Sequence, residues 1–247
     1  MRTILVTGGT GTLGRPTVER LRSAGHDVRV LSRRGGPGLV TGDLGTGVGL
    51  APAVDGADVV VHLATSRRSA DAEQTKTLLR ALESAGTPHL VLISIVGIEQ
   101  VPMAYYRAKV EAERLVQASA VPSTILRATQ FHNLVDEVFT AQRFLPVLLA
   151  PAGKLQPIAV EDVAERLTEL ASGDPADRVA DIGGPEQRSA VELAHAWKEA
   201  RGSRRPVVPL RLPGKAFRAY SAGALLADGA PYGRTTFADY LRLAVRS

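Results

Sequence analysis

The chain has 247 residues, 45% hydrophobic and 22% charged, with no cysteine. That balance excludes a disordered chain, a collagen-like chain and a coiled coil. The missing thiols exclude disulfides, thiolate zinc sites and cysteine-held iron–sulfur clusters. The net charge of +5 is uneven: from Arg201 onward nine basic residues, Arg246 among them, face Asp228 and Asp239, giving +7 there and −2 elsewhere. These basic residues are scattered, with little aromatic interleaving, and read as solvated surface rather than a nucleic-acid face. The run Met1–Thr7 is too short for a signal peptide. The apolar runs Ala57–Ala64 and Phe144–Ala150 fall short of the ~18 residues a membrane span needs. The expectation is a cytoplasmic protein with no nucleic-acid or membrane partner.

In chain order, strands alternate with helical stretches. Arg2–Thr7 is an apolar run ending in a glycine-rich turn, the pattern of a strand buried on both faces. Thr12–Ala24 has helical spacing at Leu13, Val18 and Leu21, and Gly25 stops it. Strands follow at Asp27–Leu31, at a short run ending in Gly42-Asp43-Leu44, and at Ala57–Leu63. Ala70–Ala85 is helical, Leu90–Ser94 a strand, Met103–Ser119 helical, and Ser123–Leu126 a strand. This alternation predicts an α/β fold built on a doubly wound parallel sheet. After Arg127 the pattern loosens, with helices expected at His132–Gln142, Glu161–Ser172 and Ala190–Ala200 and a strand at Val179–Ile182. The expectation is a single domain over 1–247, with its core in about 1–130 and substrate-covering segments in about 131–247.

The turn Thr7-Gly8-Gly9-Thr10-Gly11-Thr12-Leu13-Gly14 leaves the first strand and opens the first helix. Glycines at such a turn allow the backbone to approach a pyrophosphate, and the helix N-terminus offers free N–H groups to the anion. Gly8, Thr10, Gly11, Thr12 and Leu13 are therefore candidate dinucleotide ligands. A site that prefers NAD places Asp or Glu at the end of the second strand. Here Ser32-Arg33-Arg34 stand there instead. A guanidinium pairs with a 2′-phosphate through two parallel hydrogen bonds, so the expected cofactor is NADP(H).

Tyr105 and Lys109 lie four apart at the start of the Met103–Ser119 helix, so their side chains share one face. A nearby ammonium favours the phenolate and makes Tyr105 able to exchange a proton near neutral pH. Lysine is scarce, with five in the chain against 25 arginines. Ser94 ends the strand Leu90–Ser94, where strand carboxyl ends face the ligand crevice. Its hydroxyl could hold a substrate carbonyl beside Tyr105.

Together with Gly42-Asp43-Leu44, Val61-His62-Leu63-Ala64, Ile93-Ser94-Ile95-Val96-Gly97 and Ile125-Leu126-Arg127-Ala128-Thr129-Gln130-Phe131, these stretches resemble the short-chain dehydrogenase/reductase superfamily. The likeness is to its atypical, NmrA-like branch, which includes small NADPH-dependent quinone and dye reductases, and it covers most of residues 1–170. It implies a Rossmann-type sheet with a small C-terminal substrate-covering region. It also implies Tyr105 as proton donor to the substrate carbonyl, Lys109 as holder of the nicotinamide ribose and Ser94 as orienter of the carbonyl. Asp43 and Leu44 would border the adenine, and Leu63, Ala64 and Thr65 the middle of the cofactor. Thr129, Gln130 and Phe131 would sit near the nicotinamide and substrate. The superfamily often carries a relay Asn on the helix before the Ser-bearing strand. The helix Ala70–Ala85 offers Gln74, Thr75 and Thr77 but no Asn.

The histidines, His26, His62, His89, His132 and His195, show no metal-ligand spacing, and no metal is expected. His62, in an apolar strand, reads as a packed, hydrogen-bonded core residue. His132 follows a strand end near the expected pocket and is a candidate substrate contact. Trp197 reads as core. Phe139, Phe144, Leu145, Val147, Leu148 and Leu149 read as either a hydrophobic lid or core. The expected activity is reduction of a carbonyl or quinone-like small molecule. The alternative is a non-catalytic, NADP(H)-sensing regulatory protein of the NmrA-like kind.

Overall fold

The computed structural model describes residues 1–66, 69–211 and 213–244; Arg246 of the basic tail lies outside them. The first elements are β1 (Thr3–Thr7), α1 (Gly14–Ser23), β2 (Asp27–Ser32), β3 (Leu39–Thr41), α2 (Leu50–Val54), β4 (Val59–His62), α3 (Asp71–Ser84), β5 (His89–Ile95), α4 (Ala104–Ala118) and β6 (Ser123–Ala128). They are followed by α5 (His132–Thr140), β7 (Leu148–Pro151), β8 (Lys154–Leu155), α6 (Val160–Ser172), β9 (Asp177–Arg178), β10 (Arg188–Ser189), α7 (Ala190–Ala200), β11 (Val207–Leu210), α8 (Lys215–Ser221) and α9 (Phe237–Ala244). The chain forms two compact units. One comprises Met1–Ser94, Met103–Arg127 and Val163–Ala180; the other comprises Ile95–Pro102, Ala128–Asp162 and Asp181–Ser247.

The first unit is the expected α/β sheet. Its parallel strands run in the order β3-β2-β1-β4-β5-β6-β9. The four residues of β4 are all buried, as suits a strand covered on both faces. Leu5, Val60, Leu90 and Ile125 from four neighbouring strands share one apolar cluster with Leu78 and Leu82 of α3. Burial of each such side chain stabilises the fold by about 1.5–3 kcal/mol. The strand order reverses direction on either side of β1, so the crevice at the carboxyl ends of β1 and β4 is the position where such sheets hold ligands. The register pairs Thr7 with both Leu31 and His62, and His62 with Leu92. β1 and β4 end level, β2 runs one residue further, and β5 continues three residues past this line to Ile95.

Two boundaries differ from expectation. α1 starts at Gly14, with Leu13 at its N-cap, after the turn that Gly11 N–H closes onto Gly8 O at 3.0 Å. The strand expected at Val179–Ile182 instead pairs as Asp177–Arg178 with Thr124–Ile125. Thr124 Oγ1 accepts the Ala176 N–H and so starts that ladder early. Ile182 makes an isolated bridge to Ala128.

The second unit contains the parallel pair β7–β11 and the antiparallel pair β8–β10. Val135 and Phe139 of α5, Leu148 of β7, Leu193 and Trp197 of α7, and Phe237 and Leu241 of α9 form its core. Helix α7 begins with a capping box, in which Ser189 Oγ accepts the Glu192 N–H and Glu192 accepts the Ser189 N–H. This arrangement contributes about 1 kcal/mol. The set read as lid or core divides. Phe139 and Leu148 are buried, whereas Phe144 is 82% exposed with the Arg143 guanidinium over its ring.

Candidate active site

The glycine turn shows why glycine is needed. Gly8 has φ +70°, and a Cβ there would lie 2.6 Å from the backbone N of Ala64, in the segment that leaves β4. A Cβ on Gly14 would lie 2.1 Å from Gly8 O. The turn therefore packs backbone to backbone against both its own helix and the end of β4. In the first turn of α1, Arg15 N–H donates to Gly11 O and Thr17 N–H to Leu13 O, and Pro16 has no N–H; the positive end of the helix dipole lies at this turn. Thr10, Gly11 and Thr12 are exposed, and Leu13 is buried.

Thr7 and His62 lock the same edge. Thr7 Oγ1 accepts the Ala64 N–H and lies 2.6 Å from His62 Nδ1. His62 Nε2 lies 3.3 Å from Thr75 Oγ1, so both ring nitrogens are hydrogen-bonded. Burial, then the charge of Lys109, lowers the His62 pKa to about 3, so the ring is neutral. It is the packed, hydrogen-bonded core histidine expected.

Ser32 ends β2 with its Oγ accepting the Arg34 N–H, and Arg33 and Arg34 are exposed. Asp43 Oδ1 accepts the Gly45 N–H at 2.8 Å, so its carboxylate is engaged in its own turn. Leu44 and Leu63 are each 8% exposed. Ala64 is partly buried and Thr65 exposed.

At the other end of the crevice, Ser94 is buried, and among the described residues its Oγ has no hydrogen-bond partner. The Tyr105 hydroxyl lies 3.4 Å from Thr65 Oγ1. Lys109 Nζ is 3.1 Å from Asp71 Oδ2. Asp71 also accepts from Thr65 Oγ1, Ser66 N–H and Ser66 Oγ–H. Burial raises the Asp71 pKa, but Lys109 and these donors outweigh it and hold the carboxyl below its ordinary value. Burial, then Tyr105, raises the pKa of Tyr106. Sequence reasoning missed Asp71. The available signal was an acidic residue in the first turn of α3, five and six places after Ser66 and Thr65.

The remaining candidates belong to the second unit. Thr129 Oγ1 donates to Gln156 O. Gln130 Nε2 donates to Leu225 O at 3.0 Å, and Phe131 bridges to Ile158. His132 is fully buried, its Nε2 3.0 Å from Thr235 O and its ring stacked on Tyr240 and tilted against Phe237. Among the described residues no three His, Asp or Glu are grouped to hold a metal ion. No helix among them is long and apolar enough to cross a membrane.

The profile of a family described as NAD(P)H-binding matches residues 8–174. The chain belongs to that family. This NAD(P)H-binding chain is 31% identical over 220 residues to divinyl chlorophyllide a 8-vinyl-reductase, chloroplastic, of Oryza sativa subsp. indica. The match covers 74% of the chain and 54% of that protein, so the chain spans about half the length of this relative. It is 30% identical to (4-alkanoyl-5-oxo-2,5-dihydrofuran-3-yl)methyl phosphate reductase of Streptomyces griseus subsp. griseus, covering 76% of the chain and 70% of that protein. Photosystem II assembly factor Ycf39 of Trieres chinensis is 25% identical, over 97% of the chain and 82% of that protein. In fold, the chain matches the Escherichia coli NADPH-dependent quinone oxidoreductase QOR2 complexed with NADPH. The TM-score is 0.83 at 20% identity, over 98% of this chain and 99% of that one.

Proposed function

We propose that the protein is an NADP(H)-dependent oxidoreductase that reduces a carbonyl or quinone-like small molecule. The Ser94 hydroxyl carries this reading. A buried O–H without an acceptor costs about 1–3 kcal/mol, and at a strand carboxyl end a substrate oxygen is the natural acceptor. Lys109 holds its charge beside the ribose position, Ser94 orients the substrate oxygen, and Tyr105 passes its phenolic proton to that oxygen. NADPH held there would supply the hydride chemistry. Gly8, Thr10, Gly11, Thr12 and Leu13 hold the pyrophosphate, and Ser32, Arg33 and Arg34 hold the 2′-phosphate. Asp43 and Leu44 border the adenine, and Leu63, Ala64 and Thr65 follow the middle of the cofactor. The reductases among the relatives support a small-molecule substrate.

The likeness to Ycf39 along nearly the whole chain favours one second reading, an NADP(H)-binding regulatory protein without catalysis. NADPH oxidation against a panel of quinones, ketones and dyes separates the two. Turnover with one of them supports the reductase. Tight NADPH binding with no turnover across the panel supports the regulator.

A further inference from the structure

Asp71 accepts more hydrogen bonds than the start of a helix needs. Its Oδ1 takes the Ser66 N–H at 2.7 Å and the Ser66 hydroxyl at 2.6 Å. Its Oδ2 takes the Thr65 hydroxyl at 2.7 Å and lies 3.1 Å from Lys109 Nζ. The Lys109 and Asp71 side chains are 7% and 3% exposed. An ammonium so buried stays charged only beside a partner. The single hydroxyl proton of Thr65 is given to Asp71. Across the 3.4 Å to Tyr105 the Thr65 oxygen can therefore only accept, and the Tyr105 O–H is the donor.

We propose that Asp71 is a positioning residue of the active site. It keeps Lys109 charged and in place, and it turns the Thr65 hydroxyl so that Tyr105 stands as a protonated donor. The role of Tyr105 in this inference rests on the reductase reading above. Asp71 itself stays ionised and is no proton source, since Lys109 and the Thr65 and Ser66 donors hold its carboxyl below the ordinary range against the opposing effect of burial.

Five lysines make a direct test practical. Carbon-13 labelling of lysine side chains in the cofactor-free protein, with Lys109→Arg for assignment, gives the Lys109 titration by NMR. In Asp71→Asn its midpoint is expected to fall by about two pH units or more, and Asp71→Glu is expected to restore most of the loss. An unchanged midpoint in Asp71→Asn overturns the inference. If Asp71→Asn folds poorly, Asp71→Asn/Lys109→Met is compared with it by thermal melting. The double variant is expected to melt higher, because the uncompensated charge is gone; equal or lower melting overturns the inference. For the Thr65 arm, the phenolate midpoint of Tyr105 is read as the near-ultraviolet difference from Tyr105→Phe. Thr65→Val is expected to lower it, since the neutral phenol loses its acceptor, and an unchanged midpoint removes Thr65 from the assignment. All these readouts are made without cofactor or substrate. Their failure is therefore distinct from failure of the reductase reading, which is judged by turnover alone.

Discussion

Thr7 Oγ1 lies 2.6 Å from His62 Nδ1, between residues that the sheet register sets opposite each other on β1 and β4. The neutral ring is therefore a strut between the two strand ends that flank the glycine turn. Its pKa is lowered from 6.5 to about 3, by burial first and by Lys109 second. The unfolded chain takes up the proton more readily than the folded one. The contribution of His62 is thus complete above about pH 6.5 and shrinks as pH falls toward 3, by about 1.4 kcal/mol per unit. His89, lowered to about 4 by burial and then by Arg2, adds to the same slope. Denaturant midpoints are expected to fall steeply from pH 6.5 to 4, and His62→Gln is expected to flatten the slope by about one proton's worth. An equally steep slope in the variant would assign the titration to another group.

The Gly8 backbone leaves no room for a side chain. Gly8→Ala adds a Cβ 2.6 Å from Ala64 N at a φ of +70°, a change expected to cost about 1–3 kcal/mol. Because the shift falls on the phosphate turn, NADPH affinity in a fluorescence titration is expected to fall more than tenfold, roughly the loss of 1.4 kcal/mol or more. Affinity within twofold of the wild type would detach the turn from the cofactor.

Arg33 and Arg34 are exposed beyond the end of β2. Arg33→Ala is expected to weaken NADPH about tenfold, the scale of a lost charge-assisted pair, while NADH binding changes little. An unchanged NADPH-to-NADH ratio would remove Arg33 from the 2′-phosphate.

Tyr105→Phe removes one oxygen from a side chain that is only partly buried. Turnover with the best substrate of the panel is expected to fall by about 10²- to 10⁴-fold, with NADPH affinity unchanged. Near-normal turnover would end its assignment as proton donor.

The parts legible in the chain were the local ones. Continuous apolar strands, the glycine turn between β1 and α1, and the four-residue spacing of Tyr105 and Lys109 depend on neighbours a few residues apart. Backbone geometry converts such patterns directly into strand, turn and helix face. The early pairing of β9 depended on a single hydrogen bond, from Ala176 to Thr124, which no periodicity records. Phe139 and Phe144, alike in composition, separated into core and surface because only Phe139 meets Trp197 across the fold.

The amino-acid sequence by itself determined a dinucleotide-type sheet, its phosphate turn, and a tyrosine and a lysine on one helix face. Tertiary structure alone decided that Lys109 meets Asp71, that Thr65 links this ion pair to Tyr105, and that Ser94 is buried without a partner among the described residues. The physical reason is distance along the chain. Charge pairing and burial act between groups that only folding brings within a few ångströms, and the carboxylate that balances Lys109 stands 38 positions before it.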